Sequence, residues 1–276
     1  MVVLGRLPRP LRVMLGAISG RILCNVPNRS KRVTQANINR AYADLPLENR
    51  VNLVTKSLND LGHKFFLLLA TWQQPVKRVR SWVATTEGFE VFRQASEDGP
   101  TLILLPHLGN WELFGIWLSG SQPYTAMFRP MRVDAMSQLV RMARERGGNR
   151  LVPASPLGVK AILRDLNAGR TAIILPDQTP KQGMGDFVPF FGTETLTATL
   201  PYRIVQATKA RVFIAGACAQ AEHYHVFFEE LSSPAADQRE WLTDMNQTIE
   251  RWVRKYPDQY QWEYNRVYRS ADTDSD

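Results

Sequence analysis

Residues 101–114 read TLILLPHLGNWELF, and this stretch decides the fold. Thr101–Leu105 is a short apolar run of the length and composition of a buried strand. Pro106 ends it, and Asn110 is a favourable N-cap for a helix whose first turn carries Glu112. On one regular helix His107 and Glu112 point to different faces. With His107 in a loop that folds back over the first turn, the two are expected to meet. A carboxylate beside an imidazole fixes its tautomer and raises its basicity, the arrangement a general base needs to act on a hydroxyl. The bland alternative is a hydrogen bond that only closes the loop. Gly109 lets backbone approach closely, and the Gly109 and Asn110 N–H groups at the helix start are candidates for holding an oxyanion.

The same form returns twice. AIILPDQTP (172–180) repeats the apolar strand, proline and polar residue, and TAMFRP (125–130) ends its strand in Arg-Pro. Strands alternate with helices from Thr86 onward: 89–95, 113–118, 134–146, 157–166 and 200–208 read as helices, and 124–128, 171–175, 212–218 and 225–229 as strands. The implied fold is α/β, a mainly parallel sheet covered by helices on both faces, with an N-terminal helical appendage. In such a sheet ligands bind at the carboxyl edge of the strands. His107, Arg129 and Asp177 would then stand on one rim as base, cation and acid. Arg129 is the candidate for a phosphate, whose oxygens match a guanidinium fork, or else it pairs with a local acid. Asp177 either orients Arg129 or a sugar acceptor, or caps its own loop. Arg144 and Arg146 extend the rim or are simply solvated. Phe187, Phe190 and Phe191 with the helix 113–118 are candidates for an acyl channel, or plain core.

The ordered set of motifs resembles a known family. His-(four residues)-Glu in a strand–loop–helix context is similar to the motif of glycerolipid-type acyltransferases. The fuller PHLGNWE, with Phe128-Arg129-Pro130, Asp177-Gln178, Val188–Gly192, Gln35–Ile38 and Gln261-Trp262, resembles the late lauroyl/myristoyl acyltransferases of lipid A biosynthesis. The resemblance covers nearly the whole chain. It implies O-acyl transfer from an acyl thioester on acyl carrier protein to a hydroxyl of a lipid A precursor. His107 would be the base and Glu112 its orienting partner; Arg129, Asp177 and Arg146 would bind substrate, and no cofactor or metal is implied. A covalent intermediate is not required, since a G-x-S-x-G elbow and a Cys–His pair are both lacking. After Trp262 the chain departs from the basic ending of relatives: Arg266 keeps one cation among Asn265, Val267 and Tyr268.

At 276 residues the chain can bury a substantial core, and 44% hydrophobic with 22% charged residues excludes wholesale disorder. The net charge of +8 is concentrated at one end, with +7 in residues 1–50 and +1 in the remainder. A solvated basic face is the simple reading; next to apolar residues it suggests an anionic membrane surface. Residues 1–26 read as a basic amphipathic membrane-associating helix, with Leu11, Leu15, Ile18 and Ile22 spaced along one face. Residues 27–269 read as the acyltransferase domain, and 270–276 as a disordered acidic tail. The run 13–20 is shorter than the roughly 20 residues that cross a bilayer, and shorter than the anchor of many relatives. Peripheral attachment to the cytoplasmic face of the inner membrane is expected. Cys24 and Cys218 form no disulfide framework, and His223 and His225 share a strand face without a ligand set around them. His63 lies near an apolar helix face and reads as structural.

Two rivals remain at this point. One is the same superfamily acting on another glycolipid or an aminolipid. The other is a non-catalytic phosphate- or nucleic-acid-binding protein, for which the +8 charge is the argument and the scarcity of aromatics among the basic residues the counter-argument.

Overall fold

The computed structural model describes residues 7–129, 134–231, 237–264 and 266. Among the described residues three longer helices come first: α1 (Arg9–Asn25), α2 (Arg29–Ala41) and α3 (Leu47–Gln73). The short α4 (Val76–Arg80) and the edge strand β1 (Val83–Glu87) follow, then α5 (Phe89–Asp98), β2 (Thr101–Leu104), α6 (Trp111–Ser119), β3 (Tyr124–Phe128), α7 (Asp134–Glu145), β4 (Arg150–Pro153), α8 (Pro156–Asn167) and β5 (Thr171–Ile174). A hairpin of β6 (Gly185–Phe190) and β7 (Thr193–Ala198) interrupts the alternation. Then come α9 (Leu200–Thr208), β8 (Arg211–Gln220), β9 (His223–Leu231), α10 (Gln238–Lys255) and a 3₁₀ turn, Pro257–Gln259.

Seven strands form one sheet in the order β1-β9-β8-β2-β5-β3-β4. All neighbouring pairs are parallel except β8 with β9. The sheet is therefore mainly parallel, and both faces are covered, as the alternation implied. Leu102, Leu104, Ala172, Ile174, Val212 and Ile214 join the core on one face, with residues of α2, α3, α8, α9 and α10. Ile103, Ile173, Phe213 and Ala215 join the core on the other, with α5, α6 and α7. This is the period of two expected of strands buried on both sides.

The separation of the two cores corrects the acyl-channel expectation. Phe190 and Phe191 belong to the first core and Leu113–Leu118 to the second, so the sheet stands between them. Phe191 (φ 49°) and Gly192 (φ 68°) form the two-residue turn of the β6–β7 hairpin. The Phe191 ring is packed on Tyr42 and Trp262 at centroid distances of 5.4 and 5.6 Å.

The N-terminal helices are bound to the body of the protein. Gly16 and Gly20 of α1 are buried against α3, where a Cβ on Gly62 would lie 2.4 Å from the Gly20 nitrogen. Backbones that close need glycine on both sides. A Cβ on Gly16 would meet the His63 ring at 2.3 Å, which gives that histidine its structural place. Leu11, Met14, Ile18 and Ile22 are exposed on α1, and Phe65 on α3. Leu15, expected on the same stripe, is half-buried instead. No helix among the described residues is long and apolar enough to cross a membrane. The tail 270–276 lies outside the described residues.

Candidate functional site

β2 and β5 pair in parallel with Thr101 opposite Thr171 and Leu104 opposite Ile174. The Leu105 N–H donates to the Ile174 carbonyl and carries the pairing one step further. Each strand then runs through Leu and Pro to a polar residue at the same offset, which puts His107 beside Asp177. The contact is double: the His107 backbone N–H donates to Asp177 Oδ2 at 2.8 Å, and His107 Nδ1 is 2.7 Å from Asp177 Oδ1. Asp177 is buried. Burial alone would push its carboxyl up, but the imidazole, its hydrogen bonds and the Arg266 charge outweigh that and hold it below the carboxylate range. An ionised Asp177 accepts from Nδ1–H, and a neutral imidazole held in that way carries its lone pair on Nε2. Gln178 Nε2 stands 3.2 Å from that nitrogen, and Trp111 packs edge-on against the ring at 5.0 Å.

Glu112 does not meet His107, and the expected His–Glu pair is corrected. As the second residue of α6, Glu112 is buried, 4% exposed, and turns toward α7. Arg144 Nε donates to Glu112 Oε2 at 2.9 Å, and Arg144 Nη2 to Glu112 Oε1. Burial would raise this carboxyl; the two-pronged Arg144 contact overrides it and holds the group below its usual range. A buried carboxylate needs a full counter-charge, and a guanidinium fork supplies more than one imidazole can. Arg144 also lies 5.5 Å from the centre of the Phe128 ring, at the end of β3.

The Asn110 cap forms as expected, with its side chain accepting from the Leu113 N–H at 3.0 Å. The oxyanion expectation for this turn is corrected. The Gly109 N–H donates to the Gln259 carbonyl at 3.0 Å and the Asn110 N–H to the Ala217 carbonyl at 2.8 Å. Both donors hold the loop between β8 and the C-terminal segment. Gly109, at φ 64°, is required twice over, since a Cβ there would lie 2.1 Å from the Ala217 oxygen.

Arg146, expected on the cationic rim, turns inward. Its guanidinium donates to the Trp72 and Thr71 carbonyls at 2.6 and 2.8 Å, satisfying the open C-terminal end of α3. Arg129 is exposed at the end of β3, one strand beyond β5 on the same sheet edge. Pro130 lies outside the described residues. His225 binds Thr85 and Glu87 across the β1–β9 edge at 2.9 and 3.2 Å. Cys24 and Cys218 are free thiols.

The motifs at the two ends of the chain meet around the His107 loop. Asn37 Nδ2 donates to the Trp262 and Tyr264 carbonyls, both at 2.7 Å, and the Gln261 N–H to the His107 carbonyl at 3.0 Å. Lys64 Nζ donates to the Gln259 carbonyl at 2.6 Å. Sequence reasoning had Asn37, Gln261 and Trp262 as isolated strings; their joint task is to clamp the loop.

The chain is similar in sequence to several known proteins. Over 266 residues the chain is 23% identical to the lipid A biosynthesis palmitoleoyltransferase of Escherichia coli K12, covering 95% of this chain and 86% of that protein. It is 22% identical to the lipid A biosynthesis lauroyltransferase of the same organism over 268 residues, with the same coverage. Similarity to a lipid A biosynthesis acyltransferase of Haemophilus influenzae reaches 30% over 181 residues, 63% of this chain and 56% of the relative. The family profile for bacterial lipid A biosynthesis acyltransferases matches residues 1–268, and the chain belongs to that family.

Proposed function

We propose that the protein transfers a fatty acyl chain from an acyl carrier protein thioester to a hydroxyl of a lipid A precursor, with His107 as the general base. The observation that carries this reading is the His107–Asp177 pair at the carboxyl edge of β2 and β5. Asp177 holds Nδ1–H and leaves the Nε2 lone pair to take the acceptor's proton. The acceptor oxygen attacks the thioester carbonyl as its proton passes to Nε2. The tetrahedral intermediate then collapses with loss of thiolate, which the imidazolium reprotonates. Ionised Asp177 stabilises that imidazolium. Gln178, now against Nε2, marks the place the acceptor hydroxyl takes. Glu112 and Arg144 brace the first turn of α6 against α7, and Arg129 offers its fork to an acceptor phosphate.

Attachment is peripheral, at the cytoplasmic face of the inner membrane. Leu11, Met14, Ile18 and Ile22 on α1, with Phe65 of α3, form the apolar contact, and nearby arginines attract anionic lipid.

The test is mass spectrometry of a purified reaction containing acyl carrier protein thioester and lipid A precursor. A gain of one acyl chain on the precursor is expected from the wild type and not from His107→Ala. Transfer only to a different glycolipid or aminolipid acceptor would replace the acceptor and keep the chemistry. Transfer by the His107→Ala variant at the wild-type rate would overturn the base.

A further inference from the structure

The second ring nitrogen of His107 has a polar neighbour of its own. Asp177 lies 2.7 Å from Nδ1 and accepts its proton, so Nε2 of the neutral imidazole is an acceptor and the group that faces it must donate. That group is the amide of Gln178, whose Nε2 stands 3.2 Å away. The tautomer thus fixes which end of the amide faces the ring: its NH2 and not its carbonyl. Trp111 closes one side of the imidazole, edge-on at 5.0 Å. Gln178 follows Asp177 directly in the loop after β5, on the carboxyl edge of the sheet, and is exposed. An exposed amide has water as an alternative partner, so burial does not force it onto the imidazole.

An acceptor that comes to Nε2 therefore arrives between two groups of opposite kind. The imidazole nitrogen takes a proton; the amide offers one. A hydroxyl oxygen has one O–H and two lone pairs. It can give its proton to Nε2, accept from the Gln178 N–H with one lone pair and keep the other for the carbonyl carbon. For both hydrogen bonds to lie at a tetrahedral angle the two nitrogens must stand about 4.6 Å apart, so the amide withdraws by about 1.5 Å as the hydroxyl enters. That movement is within reach of an exposed glutamine side chain. A neutral amine has a single lone pair. If that pair accepts from Gln178 it is not free to attack; if it attacks, the amide N–H is left facing another N–H.

We propose that Gln178 selects oxygen over nitrogen at the acceptor, so that the His107 edge acylates hydroxyls and rejects amines in the same position. The inference rests on the reading of His107 as the base. A lone pair of the hydroxyl oxygen forms the ester C–O bond as the O–H bond breaks and its proton passes to Nε2. The thioester C–S bond then breaks with its electron pair leaving on sulfur, which takes the proton from the imidazolium. Gln178 gives up no proton in this sequence. It touches the attacking atom and holds it by the lone pair that does not react. Rejection of the amine comes from an unpaired donor, which discriminates more sharply than the fit of an apolar pocket.

The experiment measures kcat/KM of the full chain for two detergent-dispersed acceptors, with acyl carrier protein thioester as donor. One is a lipid A precursor; the other is its analogue with an amine in place of the hydroxyl that receives the chain. Wild type, Gln178→Met and Gln178→Glu are compared at one pH, so the neutral fraction of the amine is the same for all three, and folding is checked by circular dichroism. Gln178→Met keeps the length and removes the donor. It is expected to lower transfer to the hydroxyl by about tenfold, the order for one hydrogen bond to substrate, without lowering transfer to the amine. The hydroxyl-to-amine ratio then falls by about tenfold or more. Gln178→Glu replaces donor by acceptor and is expected to lower the ratio further, since its carboxylate accepts the second N–H of the amine. A structural role, holding the imidazole in place, would lower transfer to both acceptors alike and leave the ratio unmoved. A ratio that stays at the wild-type value in the folded variants overturns the inference, and so does the absence of amine transfer from both. Wild-type turnover by His107→Ala, or no transfer by the wild type to the hydroxyl, would remove the underlying reading instead, so the two failures are distinguishable.

Discussion

At the scale of single residues, the proposed reading divides the site into a pair for chemistry and a pair for packing. His107→Ala and Asp177→Asn are expected to lower turnover by about 10²–10⁴, measured as rate per folded molecule. Glu112→Gln is expected to act first on stability. Removing one partner of a buried ion pair typically costs about 3–5 kcal/mol, whereas replacing both by apolar groups is often near neutral. The double variant Glu112→Leu/Arg144→Met should therefore recover urea resistance that the single variant loses. A Glu112→Gln variant of full stability and no turnover would place Glu112 in the chemistry after all. Sequence reading found His107, Asp177 and Glu112 but joined the wrong two. Being five positions apart made His107 and Glu112 look like partners, and the 70 positions from His107 to Asp177 hid a direct contact. Which carboxylate reaches the imidazole is a matter of strand register, visible only once β2 and β5 are side by side. The repeated strand-Pro-polar form was the available signal.

At the scale of elements, the long apolar segments were legible and the short or exposed ones were not. α3, α10 and the strands of the sheet centre carry strong periodicity over buried faces. β1 is mostly exposed at the sheet edge, β4 is four residues long, and β6 carries a proline. Each lacks the pattern that marks a buried strand. The contact of α1 with α3 was likewise not visible, because glycines give no hydrophobic signal; they register only as gaps. Gly62→Leu is expected to force α1 away from α3, since its Cβ would overlap backbone at 2.4 Å. Limited proteolysis should then cut within 9–25 in the variant and not in the wild type, with the sheet core still protected.

For the whole molecule, two conditions of solution test the reading. Glu112, Asp165 and Asp177 are all held below their ordinary carboxyl values of 4.5, 3.8 and 3.8. Burial opposes this in each, and for Asp165 the Thr125 and Arg170 hydrogen bonds overcome it. A group with a depressed folded value contributes stability that is present above its unfolded value and lost as pH falls through the folded one. Stability is thus expected to hold above about pH 5 and to decline progressively below about pH 4, measured by the urea midpoint against pH. The second condition is ionic strength. Attachment through α1 should weaken in high salt or alkaline carbonate, with each basic residue near an anionic surface contributing roughly 1 kcal/mol at low salt. Flotation with anionic vesicles checks it, and protein that stays bound after carbonate would require deeper insertion.

Thr101 and Thr171 face each other across β2 and β5, their hydroxyls 2.8 Å apart, and His107 and Asp177 stand at the other end of the same two strands. The two segments are rulers read from a common zero. Each threonine stands six positions before its partner at the carboxyl edge, so the site is aligned by equality of length and not by either motif alone. One residue inserted into either strand would leave both motifs intact as text and still carry base and acid out of step. The same insertion made in both would bring them level again.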